Sequence, residues 1–437
     1  MLKKENGDKF YKYSKKYLLA GLSASGRWNE NFSRPVYFKN GMGPYIYDID
    51  DNKLIDMAIS HGASILGHNN KKLNIAIKKA LDIGILCSYE TKYQTELARK
   101  LCKMIPCADV CRFSCSGTEA VMHSIRLARG YSQKNIILKF EGHFHGLTDY
   151  LQYSWFPEQK DMGPYDNPES VPFSDGIPEN IKKYIKVIPF NNLEILEKTI
   201  EKLKSSLAAV ILEPINYNQG CIVPESKFLK SLRYLTKKNN ILLIFDEILS
   251  AFRTGPDCAQ GYFEVTPDIC VIGKSVGGGT PISVIAGRKD VMEYFKPIGT
   301  CSHSGTYNGH LIPVMAALET LNQIEKPEFY NHIYKLADRL YKGFDEIFSS
   351  TKLNIKIQGL GARFGFYFNP EKDVIREYRD RMGENKAMAL KFYQLMYEKG
   401  VYFHGLHNGF SVEHSIEDID KVLNCTNDTI RELEEIF

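Results

Sequence analysis

The stretch that decides the fold is Asp268-Ile269-Cys270-Val271-Ile272-Gly273-Lys274-Ser275, which is followed by Gly277-Gly278-Gly279. Four apolar residues in a row, closed by glycine, predict a strand that is buried on both faces of a sheet. Lys274 follows this strand in a glycine-rich turn and so lies at the mouth of the predicted sheet, where α/β proteins bind ligands. The ending Gly-Lys-Ser is similar to a phosphate-binding P-loop, but that motif needs a glycine where Asp268 stands, so the spacing excludes it.

A second apolar run ends in a carboxylate. The segment Leu242-Leu243-Ile244-Phe245-Asp246-Glu247 predicts another buried strand, with Asp246 at its C-terminal end. We expect this strand to lie one strand over from Lys274, so that the carboxylate can partner a cationic ring nitrogen of a bound molecule. The alternative is that Asp246 only caps the helix that follows.

A third segment, Ser114-Cys115-Ser116-Gly117-Thr118-Glu119-Ala120, predicts a strand that ends in a turn of small residues and opens a helix. The backbone N–H groups and the dipole of such a helix terminus attract an anion such as a phosphate group. Taken alone, the segment is only a capping box, with Ser116 and Glu119 at the required spacing.

Strand-like and helical patterns alternate along the middle of the chain. Short apolar runs that predict buried strands lie at 110–114, 136–140, 187–188, 208–212, 241–245 and 269–272. Such runs between helices are typical of a mostly parallel sheet. We therefore predict an α/β fold with a large ligand-binding domain over 66–325. The N-terminal segment 1–65 and the C-terminal part 326–437 are expected to form a smaller α+β domain.

The segment 146–187 shows no clear element. It is polar and contains several prolines together with the aromatic residues Tyr150, Tyr153, Trp155, Phe156 and Tyr165. A loop of this length in a compact protein is commonly a lid or a binding segment. Two hypotheses are open: a lid over a larger or flatter substrate, and aromatic packing at a dimer interface.

The composition excludes several classes of protein. The 437 residues are 43% hydrophobic and 25% charged, which rules out a mainly disordered chain. The 56 basic and 52 acidic side chains leave a net charge of +4, too small for a field directed at nucleic acid or a membrane surface. The N-terminus lacks the apolar core of a signal peptide, and ten cysteines without regular spacing suit a reducing compartment. We therefore expect a cytoplasmic protein.

Two clusters of metal-binding residue types are interpreted as structural. The spacing of four cysteines matches neither zinc nor iron–sulfur sites: Cys102, Cys107, Cys111 and Cys115. His143 and His145 have no third ligand at a suitable spacing. We therefore predict no metal.

Together, the three segments resemble one family, the class III (fold-type I) aminotransferases, and most closely its glutamate-1-semialdehyde aminomutase branch. The resemblance extends from about Pro35 to the C-terminus. The matching segments, in the family's order, are SGTEA (116–120), IRLARGYS (125–132), KFEGHFHG (139–146), ILEP (211–214), IFDEILSAFR (244–253), TPDICVIGKSVGGGTP (266–281) and SGTYNG (304–309). The resemblance implies a mostly parallel seven-stranded sheet between helices and pyridoxal 5'-phosphate (PLP) as the cofactor.

The resemblance assigns the catalytic chemistry to two residues. Lys274 would form a Schiff base with PLP and then carry protons between cofactor and substrate carbons, for which it must be a neutral amine. Asp246 would keep the pyridine nitrogen protonated, so that the ring can accept electrons. The expected reaction moves an amino group between an amino donor and a carbonyl substrate.

Other residues match positions that hold the cofactor in the family. Phe144 would stack on the ring, and Asn218 would hydrogen-bond the ring hydroxyl. The phosphate would be held by the backbone of Ser116, Gly117 and Thr118. Thr306 would reach the phosphate of the neighbouring subunit, which implies a homodimer with shared active sites.

The predicted substrate pocket departs from the aminomutase pattern. Arg27 lies near the arginine that binds the substrate carboxylate in that branch, although the surrounding S-P-V-R pattern is missing. His61 stands where the aminomutases have a tryptophan, and the stretch 402–410 lacks their P-S-x-F-E pattern. Because substrate choice depends on such contacts, the leading hypothesis is an intermolecular transaminase acting on an amine, an amino acid or an amino-sugar-like substrate. A true glutamate-1-semialdehyde aminomutase is the alternative.

Two hypotheses from other classes are weaker. A non-catalytic binding protein of the PLP fold is disfavoured because Lys274 and Asp246 are both retained. A dehydrogenase is disfavoured because no G-x-G-x-x-G motif follows a first strand.

Overall fold

A computed structural model describes residues 3–405 and 408–437 and divides the chain into two compact units. The larger unit comprises Lys72–Tyr330 and Val374–Met382, and the smaller unit comprises Met1–Lys71, Asn331–Asp373 and Gly383–Phe437. Residues 374–382, which the sequence analysis assigned to the C-terminal part 326–437, therefore cluster with the larger unit.

Strands and helices are distributed over both units. Within the described residues the strands are β1 (Phe38–Met42), β2 (Tyr45–Asp48), β3 (Lys53–Asp56), β4 (Val110–Ser114), β5 (Ile136–Phe140), β6 (Ile185–Ile188), β7 (Leu207–Leu212), β8 (Leu242–Glu247), β9 (Ile269–Ile272), β10 (Ser283–Gly287), β11 (Ile355–Leu360), β12 (Arg363–Phe368), β13 (Val401–Tyr402) and β14 (Asn408–Gly409). The α-helices are α1 (Glu5–Ser14), α2 (Lys71–Ile83), α3 (Lys92–Met104), α4 (Gly117–Ser132), α5 (Leu193–Leu203), α6 (Phe228–Lys238), α7 (Cys258–Tyr262), α8 (Lys289–Met292), α9 (Leu311–Ile324), α10 (Pro327–Ser349), α11 (Lys386–Glu398) and α12 (Ile416–Glu434). Among these described helices, none combines the length and the apolar content that crossing a membrane requires.

The larger unit is built on a seven-stranded sheet with the order β4-β10-β9-β8-β7-β5-β6. Neighbouring strands from β9 to β6 run parallel, which confirms the predicted mostly parallel sheet. The sequence analysis did not predict β10, which is antiparallel to both β4 and β9. The turn 273–282 before it is too short for the crossover of about a dozen residues that a parallel strand needs, so the chain reverses direction.

The buried central strands determine where the predicted site residues lie. Every residue of β7, β8 and β9 is buried, as expected for strands that helices cover on both faces. In the pairing of β8 with β9, Asp246 lies opposite Val271 and Glu247 lies opposite Ile272. Asp246 is therefore level with the end of β9, and Lys274 follows just beyond it.

The smaller unit contains two further sheets. In the first, β1, β2 and β3 pair antiparallel and β13 joins β3 in parallel. In the second, β12 pairs antiparallel with both β11 and β14. Aromatic rings fill the core beside β12: Phe366 packs on Phe344 of α10 and on Phe392 of α11. The apolar face of β12 thus holds two helices of this unit.

Candidate active site

One cavity in the larger unit collects most of the predicted site residues. Its volume is about 290 Å³. Seven of the predicted residues line it: Ser116, Gly117, Thr118, Phe144, Asn218, Asp246 and Lys274. These residues come from five separate parts of the chain, so the sheet topology brings them together.

Lys274 has an uncommon backbone conformation. Its φ is +43°, in the left-handed region that residues other than glycine rarely adopt. Such a conformation costs about 1–3 kcal/mol, persists only where the surrounding fold fixes it, and is frequent at functional sites. The next residue supplies part of that support, because the buried Ser275 hydroxyl donates to the carbonyl oxygen of Ala251 at 2.9 Å. The turn after β9 therefore holds Lys274 against the cavity.

Asp246 is a buried carboxylate with two hydrogen-bond partners. Its Oδ2 lies 2.8 Å from Nδ1 of His145, and its Oδ1 accepts from the backbone N–H of Ile248 at 3.1 Å. An ionised carboxylate only accepts hydrogen bonds, so the imidazole donates from Nδ1. Burial lowers the pKa of His145, although the hydrogen bond to Asp246 opposes this effect. His145 is therefore a neutral donor that orients the carboxylate.

The N-terminus of α4 forms another wall of the cavity. The Ser116 hydroxyl accepts the backbone N–H of Glu119 at 3.3 Å and caps the helix, as predicted. The Glu119 carboxylate accepts from the backbone N–H of Cys115 at 2.9 Å, so the reciprocal bond to Ser116 that a capping box requires is replaced. The backbone N–H groups of Gly117 and Thr118 have no partner inside the helix, as in any first helical turn. Together with the helix dipole, they make this wall suitable for a phosphate.

Glycine allows close packing beside this helix terminus. Gly146 has a φ of +80°, and a Cβ atom there would lie 2.7 Å from the Thr118 hydroxyl oxygen. At Gly117 a Cβ atom would lie 3.0 Å from the Ile248 side chain. The same Thr118 hydroxyl accepts the backbone N–H of Leu147 at 3.2 Å. A larger residue at Gly146 would therefore push the segment after β5 away from the start of α4, and one at Gly117 would press on the residue that follows β8.

The Phe144 ring lines the cavity and is backed by other aromatic rings. Its centroid lies 4.2 Å from that of Trp155, which also packs on Phe156 and Phe173. The backbone N–H of Phe144 donates to Oε1 of Glu213 at 2.8 Å. Rings from the segment 146–187 thus support the ring that is predicted to stack on the cofactor. The role of this segment as a lid stays a prediction.

Glu213 connects three parts of the cavity wall. Beyond its bond to Phe144, its Oε2 accepts from the Asn218 side-chain amide at 2.8 Å, and its backbone N–H donates to Nδ1 of His143 at 3.0 Å. Burial, together with the nearby charge of Asp246, raises the pKa of Glu213 to about 8. The carboxyl is therefore mainly protonated at neutral pH. It fixes Asn218, the residue predicted to bond the ring hydroxyl.

The side chains of the histidine pair (His143, His145) and of the four-cysteine cluster (102–115) pack against neighbouring residues and form hydrogen bonds. Burial lowers the pKa of His143 well below its ordinary value and raises that of Cys107 well above it, as expected for neutral groups in the core. All ten cysteines are free thiols. Within residues 3–405 and 408–437, no three His, Cys, Asp or Glu side chains are grouped so that they could hold a metal ion.

Thr306 does not line the Lys274 cavity of its own chain. It is exposed, and its carbonyl oxygen accepts from the Ser88 hydroxyl at 3.0 Å. It lines a second cavity of the larger unit, of about 540 Å³, together with Arg112 and His303. An exposed position leaves Thr306 accessible to another subunit, and its contact with a partner's phosphate stays a prediction.

Arg27 and His61 belong to the smaller unit. Both line a cavity of about 510 Å³, whose wall also contains Lys39, Tyr402 and His404. The rings of His61 and His404 lie 4.0 Å apart, and the Arg27 guanidinium donates to the Ser23 hydroxyl. Of the stretch 402–410 that departs from the aminomutase pattern, residues 406 and 407 lie outside the described residues. The predicted substrate-binding role of Arg27 and His61 thus stays a hypothesis.

The groups around the Lys274 cavity fit PLP. A helix terminus with unpaired N–H groups suits the phosphate, and the Phe144 ring suits the face of the pyridine. The Asp246 carboxylate suits the protonated ring nitrogen, and the Lys274 amine suits the aldehyde. All four groups line one cavity. The arrangement can therefore hold the cofactor and move protons at Lys274.

The sequence analysis gave no chemical role to two residues that the structure places in the site. It interpreted His145 as structural and quoted Glu213 only as part of the matching segment ILEP (211–214). A signal was present for Glu213, because it directly follows the apolar strand β7, just as Asp246 follows the apolar run Leu242–Phe245 of β8. A charged residue at the end of a fully buried strand is costly unless it is paired or functional.

Comparisons with known proteins agree with this geometry. The model of the family described as Aminotransferase class-III matches residues 25–419. A glutamate-1-semialdehyde 2,1-aminomutase from Methanococcus maripaludis strain C5 is 35% identical over 437 residues, covering 99% of each protein. Among solved structures, an omega-transaminase from Sphaerobacter thermophilus has a TM-score of 0.92 at 26% identity, covering 98% of this chain and 97% of that one. A transaminase with PLP bound has a TM-score of 0.90 at 25% identity, and the match covers 100% of this chain and 99% of that one.

Proposed function

Because this chain belongs to the class III aminotransferase family, we propose that it moves an amino group between an amino donor and a carbonyl substrate, with Lys274 as the amine that binds PLP. The protein is a PLP-dependent aminotransferase or a closely related aminomutase. The observation that carries the residue assignment is that Lys274, Asp246 and the start of α4 line one cavity.

Each residue around the cofactor has a separate role. When bound, PLP supplies an aldehyde carbon that carries the amino group and a ring that accepts electrons. Lys274 binds it and moves protons at the reacting carbon. Asp246, oriented by His145, holds a proton on the ring nitrogen. Phe144 positions the ring, and Asn218, fixed by Glu213, orients the ring hydroxyl.

We propose an intermolecular transaminase as the leading function. The support is the chemistry of the smaller unit's cavity, where His61 and His404 pack ring to ring and Arg27 lies in a wall that also contains Lys39 and Asp56. A different set of polar groups in a pocket changes substrate choice more strongly than it changes the cofactor chemistry. Arg27 would bind the carboxylate of an amino-acid-like substrate, and His61 would contact its neighbouring atoms.

Glutamate-1-semialdehyde 2,1-aminomutase is the second candidate. It is favoured by the full-length similarity to proteins of that name, at 35% identity over 99% of the chain. The two functions use the same PLP cavity and differ in whether the amino group leaves the substrate's own carbon skeleton.

We further propose a cytoplasmic homodimer. The ten free cysteines suit a reducing compartment. The exposed position of Thr306, outside the Lys274 cavity of its own chain, suits a residue that completes the site of a partner subunit.

A half-reaction screen tests the function. The PLP-loaded protein is mixed with a panel of amines and amino acids, and the loss of its visible absorption is followed without any acceptor. Glutamate-1-semialdehyde conversion is then assayed in the absence of a keto acid. A transaminase loses its absorption with its amino donor and needs an acceptor to turn over, whereas an aminomutase converts the semialdehyde alone. A protein that does neither would contradict the proposed transfer of amino groups.

A further inference from the structure

Lys139 is a fully buried lysine that the proposed chemistry does not use. It lies one residue before the end of β5, and its side chain is 0% exposed. Lysine is almost never fully buried unless its charge is compensated. A cost of this kind calls for a compensating set of contacts or a function at this position.

The Lys139 ammonium group joins two separate pieces of backbone. Its Nζ donates to the carbonyl oxygens of His143 at 2.8 Å, Leu151 at 3.2 Å and Tyr153 at 2.5 Å. An ammonium has three N–H donors, so three carbonyls use all of them. Two of these carbonyls belong to the segment 146–187, and the third belongs to the turn directly after β5.

Each piece leads into one ring of a packed pair, of which Phe144 lines the cofactor cavity and Trp155 packs behind it. The His143 carbonyl is in the peptide unit that leads into Phe144, whose ring lines the cavity. Tyr153 lies two residues before Trp155, whose ring centroid is 4.2 Å from that of Phe144. Lys139 therefore fixes the backbone just before Phe144 and the backbone just before Trp155.

The charge of Lys139 also suits this position. Burial lowers the pKa of Lys139 to about 7, and the carboxylates of Glu213 and Asp246 oppose that effect. A neutral amine has only two N–H donors and leaves one of the three carbonyls without a partner. The charge of Asp246, and that of Glu213 when this carboxyl is ionised, thus favours the form of Lys139 that binds all three carbonyls.

We propose that Lys139 is a positioning residue for the cofactor site: by binding the carbonyls of His143, Leu151 and Tyr153, it holds the Phe144 and Trp155 rings against each other, and through Phe144 it sets the affinity for PLP. The effect on PLP affinity rests on the proposed function. The placement of the Trp155 ring does not, because it concerns the protein without cofactor.

The test uses Trp155 as a reporter. The chain has two tryptophans, so the substitution Trp28→Phe leaves Trp155 as the only one. In this background, Lys139→Met keeps most of the apolar stem and removes the donors, and Lys139→Gln keeps two donors without the charge. Lys186→Met is the matched control, because Lys186 lies on the neighbouring strand β6 opposite Leu138 and donates to the Asn167 side chain at 2.8 Å. Each protein is freed of cofactor, checked by circular dichroism and thermal melting, and titrated with PLP.

We expect folded Lys139→Met to show red-shifted Trp155 emission without cofactor and a PLP dissociation constant raised at least about tenfold. Lys139→Gln should show a smaller change in both, and Lys186→Met should match the parent. Unchanged emission and affinity in a folded Lys139 variant, even with a lower melting temperature, would overturn the proposal. If neither Lys139 variant folds while Lys186→Met does, Lys139 supports the sheet itself and the positioning role is wrong. If the parent protein binds no PLP, the proposed function fails, whereas the emission measurement still decides the placement of Trp155.

Discussion

Nδ1 of His145 and Oδ2 of Asp246 lie 2.8 Å apart, and both side chains are buried. The pair joins the segment after β5 to the end of β8. Because burial keeps the imidazole neutral, it supplies a directed donor without adding a positive charge beside the carboxylate. Asp246 can therefore keep its negative charge for the ring nitrogen of the cofactor.

This pairing predicts a specific pattern of kinetic losses. Asp246→Asn should retain PLP but lower kcat by at least about a hundredfold, because the charge that stabilises the protonated ring is gone. His145→Phe should lower kcat less, since the carboxylate remains but loses its orientation. The double variant should be no slower than Asp246→Asn alone, because His145 acts through Asp246. Single-turnover rates and PLP titrations of the three variants would show this, and losses that multiply would contradict the coupling.

Glu213 should make stability depend on pH. Burial and the charge of Asp246 raise its pKa to about 8 in the folded protein, whereas a carboxyl in the unfolded chain has a pKa of about 4.3. Between pH 5 and 7 the folded state therefore holds a proton that the unfolded state has lost, so the free energy of unfolding falls as pH rises.

Glu213→Gln removes this titration. The free energy of unfolding should then fall less steeply with pH, by up to about 1.4 kcal/mol per pH unit. Urea unfolding of both proteins at several pH values in this window measures the difference. Other titrating groups are common to both proteins and cancel. Equal slopes would show that Glu213 is ionised in the fold.

Arg27 is expected to bind a substrate carboxylate. Arg27→Ala should raise KM for the amino-acid substrate found in the amine screen at least about tenfold, because a charge-assisted hydrogen bond is lost. The visible absorption of bound PLP should not change. Lys39→Ala is the control, because Lys39 lines the same cavity but its ammonium pairs with Asp51 at 2.7 Å. Similar KM values for both variants and the unaltered enzyme would remove Arg27 from the substrate site.

Much of the larger unit could be predicted because its signals are local. Apolar runs closed by glycine or by a polar residue predict buried strands, and the polar residues that follow the apolar runs of β8 and β9 then lie at one edge of the sheet. β10 was missed because its direction depends on the length of the turn before it and on its pairing with β4. Neither property is visible in the five residues Ser283–Gly287 themselves.

The contacts behind the cavity could not be predicted for a different reason. His145 bonds a residue about a hundred positions away, and Lys139 binds carbonyl groups, which carry no residue identity. Pairings of this kind depend on how the chain after β5 packs against the rest of the larger unit, which no local sequence pattern records. The same holds for residues 374–382, which cluster with the larger unit although the residues before and after them belong to the smaller unit.

The shared-site prediction for Thr306 can be tested by mixing inactive variants. Thr306→Asp places a carboxylate where a partner's phosphate is expected and should abolish activity by charge repulsion. Lys274→Ala should also be inactive. Dimers formed from the two variants contain one site with both an intact Lys274 and an intact partner Thr306. Unfolding and refolding the mixture should therefore restore activity that neither variant has alone, and no recovery in mixed dimers would contradict a site shared between subunits.

The most direct test of the account is to locate the lysine that binds PLP. The PLP-loaded protein is reduced with borohydride, which fixes the cofactor to its lysine, and the digest is mapped by mass spectrometry. The account predicts one modified peptide, containing Lys274, and none in Lys274→Ala. A cofactor fixed to another lysine, such as the buried Lys139, or no modification at all, would contradict it.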